Sequence, residues 1–371
     1  MNNQLIYQIA LTMIEGVGDV LGRNLLENFG SAEDVFAAKA SALEKVQGIG
    51  HALSAKIKHP DVLRRAEEEL SFIDKNNISC YFMPDKNYPS LLRECGDAPL
   101  LIYFKGKCDL NSSKIISIVG TRKPTDYGRS MTEKLIAELA QSLPDLVVVS
   151  GLAYGIDITA HRSALKRQLP TVAVLAHGLD RLYPLTHHSI AAEMLEHGGL
   201  LTEFPSGTNP DKMNFVRRNR LIAGLSSATV VVESAERGGS LITSGIAFSY
   251  NRDVFAFPGR SIDPSSQGCN RIISENQAKL ITHASDIIRC MNWEIDAKEV
   301  KKPQQAVQTE LFLDHGPAPQ VLALIRKKGK MHLNQIAAEL NIHVKDLMSV
   351  LTNLEIDGKI SSMPGNTYNI R

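Results

Sequence analysis

Between His59 and Met291 the apolar residues fall in short unbroken runs, IISIVG, DLVVVSG, TVAVLAHG, LLTEFP, ATVVVES and DVFAFPG, separated by stretches of helical period. A strand with one wet face alternates apolar and polar positions. These runs do not alternate, so they predict strands covered by helices on both sides, as in a parallel, doubly wound α/β sheet. Ahead of them ISCYFMP and PLLIYFKG read as two further strands that extend the sheet at an edge.

The two ends of the chain have a different rhythm. IEGVGDVLGRNLLENFG (Ile14 to Gly30) and VQGIGHALSAKI (Val46 to Ile57) each place a turn of apolar residue, any residue, Gly, apolar residue, Gly before an apolar helical pattern. This repeated turn predicts helix-hairpin-helix units, whose exposed N–H groups can take a DNA phosphate. A plain helical bundle with reversing turns fits it equally well. After Trp293 the run EIDAKEVKKPQQAVQTE is polar and aperiodic, as a linker is. The tail then gives three helical patterns (QVLALIRKKG, LNQIAAELN, VKDLMSVLTNLEIDG) and a hairpin (KISSMPGNTYNI), the order of a winged helix. The expected domains are therefore residues 1–58, 59–293 and 318–371, with a linker over 294–317.

Composition changes this picture little. The 41 Lys and Arg residues nearly balance the 40 Asp and Glu, so a polyanion would have to be met by a local patch rather than by net charge. Five scattered cysteines form no C-x-x-C or zinc-type spacing, which predicts buried thiols in a reducing compartment and no structural metal. No basic leader precedes an apolar run, and no apolar stretch of about 18 residues occurs, so a cytoplasmic protein without a membrane span is expected.

In a doubly wound sheet ligands bind beyond the carboxyl ends of the strands. There the chain places Gly120, Thr121 and Arg122; Ser150, Gly151, Gly155 and Asp157; and Gly238, Gly239 and Ser240. Small-residue turns opening helices supply N–H groups and hydroxyls for oxyanions. No G-x-G-x-x-G fingerprint and no G-x-x-x-x-G-K-[ST] loop is present, so neither a dinucleotide nor a P-loop reading holds. Arg122 suits a phosphate clasped by two N–H groups, a structural ion pair being its competing role. The densest charge lies in NPDKMNFVRRNRLIAGLS, where Lys212, Arg217, Arg218 and Arg220 surround Phe215. Cations interleaved with an aromatic suit single-stranded nucleic acid, the cations following the backbone and the ring stacking on a base. No catalytic set emerges: His161, His177, His187 and His188 read as ordinary hydrogen-bonded residues, and Asp157 as a helix N-cap.

In chain order, YP at Tyr88-Pro89, KG at Lys105-Gly106, IVGTR, SGLAYGID followed by Ala160-His161, AVLAHGLDRLYP, TEFPSG, RNRLIAGLS, GGSLIT and FAFPG closely resemble the DNA-processing protein A (DprA/Smf) family. The resemblance covers about Tyr88 to Leu280 and implies an extended Rossmann-type, mostly parallel sheet. It also implies a homodimer that binds single-stranded DNA without sequence preference, protects incoming DNA in natural transformation, and loads the RecA recombinase, with no cofactor and no catalysis. By that resemblance DNA contacts fall on Gly120, Thr121 and Arg122, and on Lys212, Phe215, Arg218, Asn219 and Arg220, with Ser150, Gly151, Gly239 and Ser240 beside them. Two positions depart from the family pattern: Val216 stands where proline follows the Phe, and His187 stands where Asn is usual.

The competing class is a nucleotide-processing enzyme resembling the lysine-decarboxylase-like phosphoribohydrolases. Here RGGSLITSG places Gly245 where those enzymes carry their catalytic glutamate. A transcription regulator is disfavoured because the helix expected to read DNA carries Asp346, Glu355 and Asp357 against Lys345 and Lys359. A protein-contact role is the better expectation for that domain.

Overall fold

A computed structural model describes residues 3–293, 317–363 and 365–370. The expected linker, 294–317, lies outside the described residues except for its last position. The chain divides into two compact units, Met1–Asp296 and Ala297–Arg371.

The first unit opens with helices α1 (Asn3–Met13), α2 (Asp19–Phe29), α3 (Ala32–Ala37), α4 (Ala40–Leu43), α5 (His51–Ile57) and α6 (Pro60–Asn76). The two predicted glycine turns share one geometry. Gly16 and Gly48 adopt φ of +95° and +90°, open to glycine at no steric cost, and Gly18 and Gly50 then start α2 and α5 in extended conformation. The helical layer is not an isolated bundle. Its core takes in Leu100, Leu101 and Tyr103 from the sheet, and α2 approaches so closely that a Cβ on Gly22 would lie 2.2 Å from Leu100 Cδ1.

The sheet has nine strands: β1 (Ser79–Phe82), β2 (Leu101–Gly106), β3 (Ile115–Val119), β4 (Val147–Ser150), β5 (Thr171–Val174), β6 (Gly198–Thr202), β7 (Ala228–Val231), β8 (Asp253–Ala256) and β9 (Lys279–Leu280). Their order is β1-β2-β6-β5-β4-β3-β7-β8-β9. The strands from β6 to β9 run parallel, while β1 and β2 add an antiparallel edge, the two early strands expected from the sequence. All five residues of β3 are buried. Ile116 and Ile118 face α8 (Asp126–Ser142), α9 (Ile156–Lys166) and α14 (Ala284–Cys290). Ile115 and Val119 face α7 (Ser90–Arg93), α11 (Lys212–Gly224), α12 (Gly239–Ser249) and α13 (Gln267–Ser274). Burial on both faces is why the apolar runs do not alternate. The succession β3, β4, β5, β6, with α10 (His188–His197) before β6, builds outward on one side, and β7 then returns to the other side of β3. The β3/β7 boundary is the topological switch point.

The second unit contains α15 (Ala318–Lys328), β10 (Met331–His332), α16 (Leu333–Leu340), α17 (Val344–Ile356), β11 (Ile360–Met363) and β12 (Thr367–Ile370). Its antiparallel sheet has the order β10-β12-β11, a winged helix with a short strand before α16 that the sequence pattern did not predict. None of the five cysteines forms a disulfide; Cys95 and Cys269 are buried and the others half-buried. Among the described residues no helix is long and apolar enough to cross a membrane.

Two of the arginines expected at a DNA surface are engaged by carboxylates of the scaffold, Arg220 buried and Arg217 half exposed. Arg220 is buried and donates to Glu203, to Asp19 on α2 at 3.1 Å, and to the Asp97 carbonyl. Arg217 pairs with Glu203 at 2.7 Å and lies 5.5 Å over the Phe204 ring. Burial pushes Glu203 up to about 7 despite these two guanidiniums. The cluster joins the helical layer to the sheet. Arg220→Ala would leave Glu203 with Arg217 as its remaining guanidinium, so denaturant titration should show a loss below the roughly 3–5 kcal/mol of a fully broken buried pair.

His161 on α9 donates from Nδ1 to Thr171 Oγ1 at 2.7 Å, because that hydroxyl already donates to the Val148 carbonyl; Nε2 is buried without a partner. Burial holds its pKa down to about 3. The folded chain therefore excludes a proton that the unfolded chain accepts. This stabilising contribution is complete above about 6.5, the ordinary histidine value, and is lost as pH falls toward 3. In unfolding titrations across that window, His161→Asn should reduce the pH slope by at most about 1.4 kcal/mol per pH unit.

Candidate nucleic-acid interface at the switch point

A cavity of about 670 Å³ opens at the carboxyl ends of β3 and β7. One wall is the turn after β3, Gly120 to Arg122; another is the start of α12, Gly238 to Thr243; the third is α11, with Lys212, Phe215, Val216, Arg218 and Asn219. Of the residues expected to meet DNA, the fold thus gathers Gly120, Thr121, Arg122, Lys212, Phe215, Arg218, Asn219, Gly239 and Ser240 around one space.

The turn after β3 is held by Glu233, which follows β7 and is buried. Its backbone carbonyl accepts from Thr121 N–H at 2.8 Å, and its carboxylate accepts from the Thr125 N–H at 2.9 Å and hydroxyl at 2.7 Å. Thr125 caps α8 in turn, accepting from Gly128 N–H. The positive end of α8, which the sequence suggests for a ligand phosphate, is therefore occupied by the protein's own carboxylate. The turn also needs Gly155: at φ +83° its Cβ would lie 2.2 Å from the Thr121 carbonyl oxygen. What remains open to a ligand is the Arg122 side chain, which is exposed and forms no ion pair among the described residues. Its guanidinium carbon lies 5.5 Å over the Phe215 ring centroid.

Phe215 is half-buried, and beneath it lies Arg218, 5.9 Å from the ring centroid and 4% exposed. Arg218 donates to the carbonyls of Gly151 at 2.7 Å and of Val174. Burial lowers its pKa to about 10, opposed by Asp157, so it stays charged at neutral pH. Asp157 does not cap its own helix. Its carboxylate accepts from the N–H groups of Gly151 at 3.1 Å and Ala153 at 3.4 Å, and burial raises its pKa against the pull of Arg218. Ser150 and Gly151 accordingly lie beneath the cavity rather than in its lining. The Ser150 hydroxyl donates to the Ile118 carbonyl at 2.6 Å, and a Cβ on Gly151 would lie 2.5 Å from the Arg218 guanidinium.

The cavity's charges are Arg122, Lys212 and Arg218 against Asp157 and Asp211. Arg218 and Asp157 offset each other, and Asp211 caps α11 by accepting from Asn214 N–H at 2.9 Å. Arg122 and Lys212 are left as the exposed cations. On the opposite wall α12 begins at Gly238 without a side-chain cap, and a Cβ on Gly239 would meet nothing within 4 Å. Gly245 is exposed on α12 and lies outside the lining. His187 is also outside: it is buried and bonds the Leu152 carbonyl at 2.9 Å.

Sequence reasoning missed Tyr183, which lines the cavity with its ring 5.8 Å from that of Phe215. The available signal was its place in the loop after β5, at the same rim as the other turns.

Similarity to known proteins agrees with this architecture. The family model described as DNA recombination-mediator protein A matches residues 79–292, a SAM-like helix-hairpin-helix tandem matches 9–58, and the DprA winged helix domain matches 304–366. Protein Smf of Synechocystis sp. is 31% identical over 100% of both chains. DNA processing protein DprA of Streptococcus pneumoniae is 41% identical over 55% of this chain and 71% of its own. The X-ray structure of the Streptococcus pneumoniae DprA has a TM-score of 0.63 at 32% identity, covering 78% of this chain and 98% of that one. DNA processing protein A from Helicobacter pylori, which has a single-stranded DNA binding mode, gives 0.52 at 29% identity, over 58% and 96%. Strand order, flanking domains and sequence similarity thus converge, and the chain belongs to the DNA-processing protein A (DprA/Smf) family.

Proposed function

We propose that this chain binds single-stranded DNA, without sequence preference, in the cavity between β3 and β7. The observation that carries the reading is the juxtaposition of Arg122 with the Phe215 ring, 5.5 Å apart, in a cavity also lined by Lys212. A flexible polyanion offers such a site both of its chemistries, phosphates for the exposed cations and unpaired bases for the ring. A duplex keeps its base faces stacked and satisfies only the first. The uncapped start of α12 is a further place for a phosphate oxygen. Supporting the reading from outside is the single-stranded DNA binding mode of the Helicobacter pylori relative.

The binding serves recombination: the chain protects incoming DNA and passes it to the RecA recombinase during natural transformation, in the cytoplasm. It does so as a homodimer through the α/β unit, so that two cavities act on one particle and gain avidity. The winged helix serves protein contacts rather than reading a duplex groove. In its support, Glu355 on α17 is engaged within the domain, accepting from Ser362 N–H at 3.2 Å, and Asp346 adds acidic character to the same helix.

Each phosphate neutralised releases counterions, so affinity falls with salt at a slope set by the number of contacts. In binding titrations on an oligothymidylate across a salt series, Arg122→Ala and Lys212→Ala should each weaken binding and reduce that slope by about one. Arg217→Ala should leave the slope unchanged, because its guanidinium is directed to Glu203 and Asp19. Unchanged affinity in both Arg122→Ala and Lys212→Ala would remove the assignment.

A further inference from the structure

Tyr183 has no structural task that explains its ring. The side chain is 47% exposed, and its hydroxyl makes no hydrogen bond among the described residues. Its backbone, by contrast, is firmly held. The Tyr183 N–H donates to Nε2 of His177 at 3.2 Å, and that buried imidazole donates from Nδ1 to the Gly178 carbonyl at 2.9 Å. Burial lowers the His177 pKa, which keeps the ring neutral and able to accept at Nε2. An aromatic side chain is thus presented on a fixed backbone into the cavity already described.

The relation of the two rings decides what they can hold. Their centroids lie 5.8 Å apart and their planes are inclined by 59°. One base sandwiched between parallel rings would need roughly 7 Å, twice the 3.4 Å stacking rise. Rings this close and this oblique cannot grip a single base between them; Tyr183 offers its own face, and Phe215 offers one once the exposed Arg122 guanidinium above it turns to a phosphate. Arg122 and Lys212 line the same cavity, within reach of a phosphate joining two nucleotides.

Resting on the single-strand reading above, we infer that Tyr183 is a second base-stacking platform, so that the cavity engages two successive unpaired bases on non-parallel rings with a kink in the strand between them. Such a kink breaks the parallel stacking that a duplex maintains. Selectivity for single strands then comes from the angle between the rings as well as from access to a base face.

The test uses the full chain and two strands of equal length, an oligothymidylate and a fully abasic strand, with affinities read by fluorescence anisotropy. Tyr183→Ala should weaken binding to the oligothymidylate on the order of tenfold, while Tyr183→Phe retains wild-type affinity. All three proteins should bind the abasic strand equally, since it offers phosphates and no bases. Unchanged oligothymidylate binding by Tyr183→Ala would overturn the inference. So would an equal loss on both strands, which would make Tyr183 a support for the cavity's shape. If Phe215→Ala weakens oligothymidylate binding and Tyr183→Ala does not, only the second platform falls. If the wild-type chain does not bind the oligothymidylate, the single-strand reading falls and this inference with it.

Discussion

The Glu233 carboxylate, buried at the switch point, ties the strand leaving on one side of the sheet to the turn leaving on the other. Because crossovers part between β3 and β7, a crevice opens beyond their carboxyl ends, and the two loops there border it. Glu233 supplies the support from within. It fills the electropositive start of α8 and takes the Thr121 and Thr125 donors, so the turn is closed as a structural unit and Arg122 is left at its end with a free guanidinium. A Cβ on Gly128 would lie 2.2 Å from the Glu233 Oε2, so this arrangement accepts nothing larger than glycine there without a shift. A turn composed as though for a phosphate thus commits its Thr121 and Thr125 donors to the fold and leaves the Arg122 side chain exposed.

Helix α11 resolves the other half of the site. Residues at spacing i, i+3 and i+7 share a helix face, which brings Lys212, Phe215 and Asn219 to the cavity together. Arg217 and Arg220 fall on a different face and meet Glu203 and Asp19. Arg218 lies between the two, below the ring, where a buried charge is tolerable only with acceptors on several sides. The Gly151 carbonyl in the loop after β4 and the Val174 carbonyl at the end of β5 accept from it, and the nearby Asp157 carboxylate offsets its charge. One short basic run is therefore divided three ways: toward the cavity, beneath the aromatic ring, and onto the helical layer. The Phe215 ring rests on an arginine bonded to two elements of the sheet layer, which fixes its place beside the cavity.

Much was legible in the chain before any coordinates. Unbroken β-branched runs determined strands buried on both faces, because only two covering layers of helix allow such strands to avoid water. The paired glycine turns predicted helix reversals without separating hairpin units from a plain bundle, and the order of elements in the tail predicted its winged helix. The turns that follow the strand runs marked the rim on which most of the expected site residues lie, and ordered motifs from Tyr88 to Leu280 carried the family resemblance. Local composition could not distribute the four basic residues of α11 among their roles, since charge density along a sequence is blind to which carboxylate waits on the neighbouring element. Glu203 and Asp19 lie 17 and 201 residues from Arg220. Likewise Tyr183 became a candidate only when folding set its ring beside Phe215, 32 positions later in the chain. Secondary structure and strand burial follow from short-range pattern, which the sequence carries in full; the sorting of like charges into cavity-facing and scaffold-facing groups depends on long-range partners, and only the tertiary structure decided it.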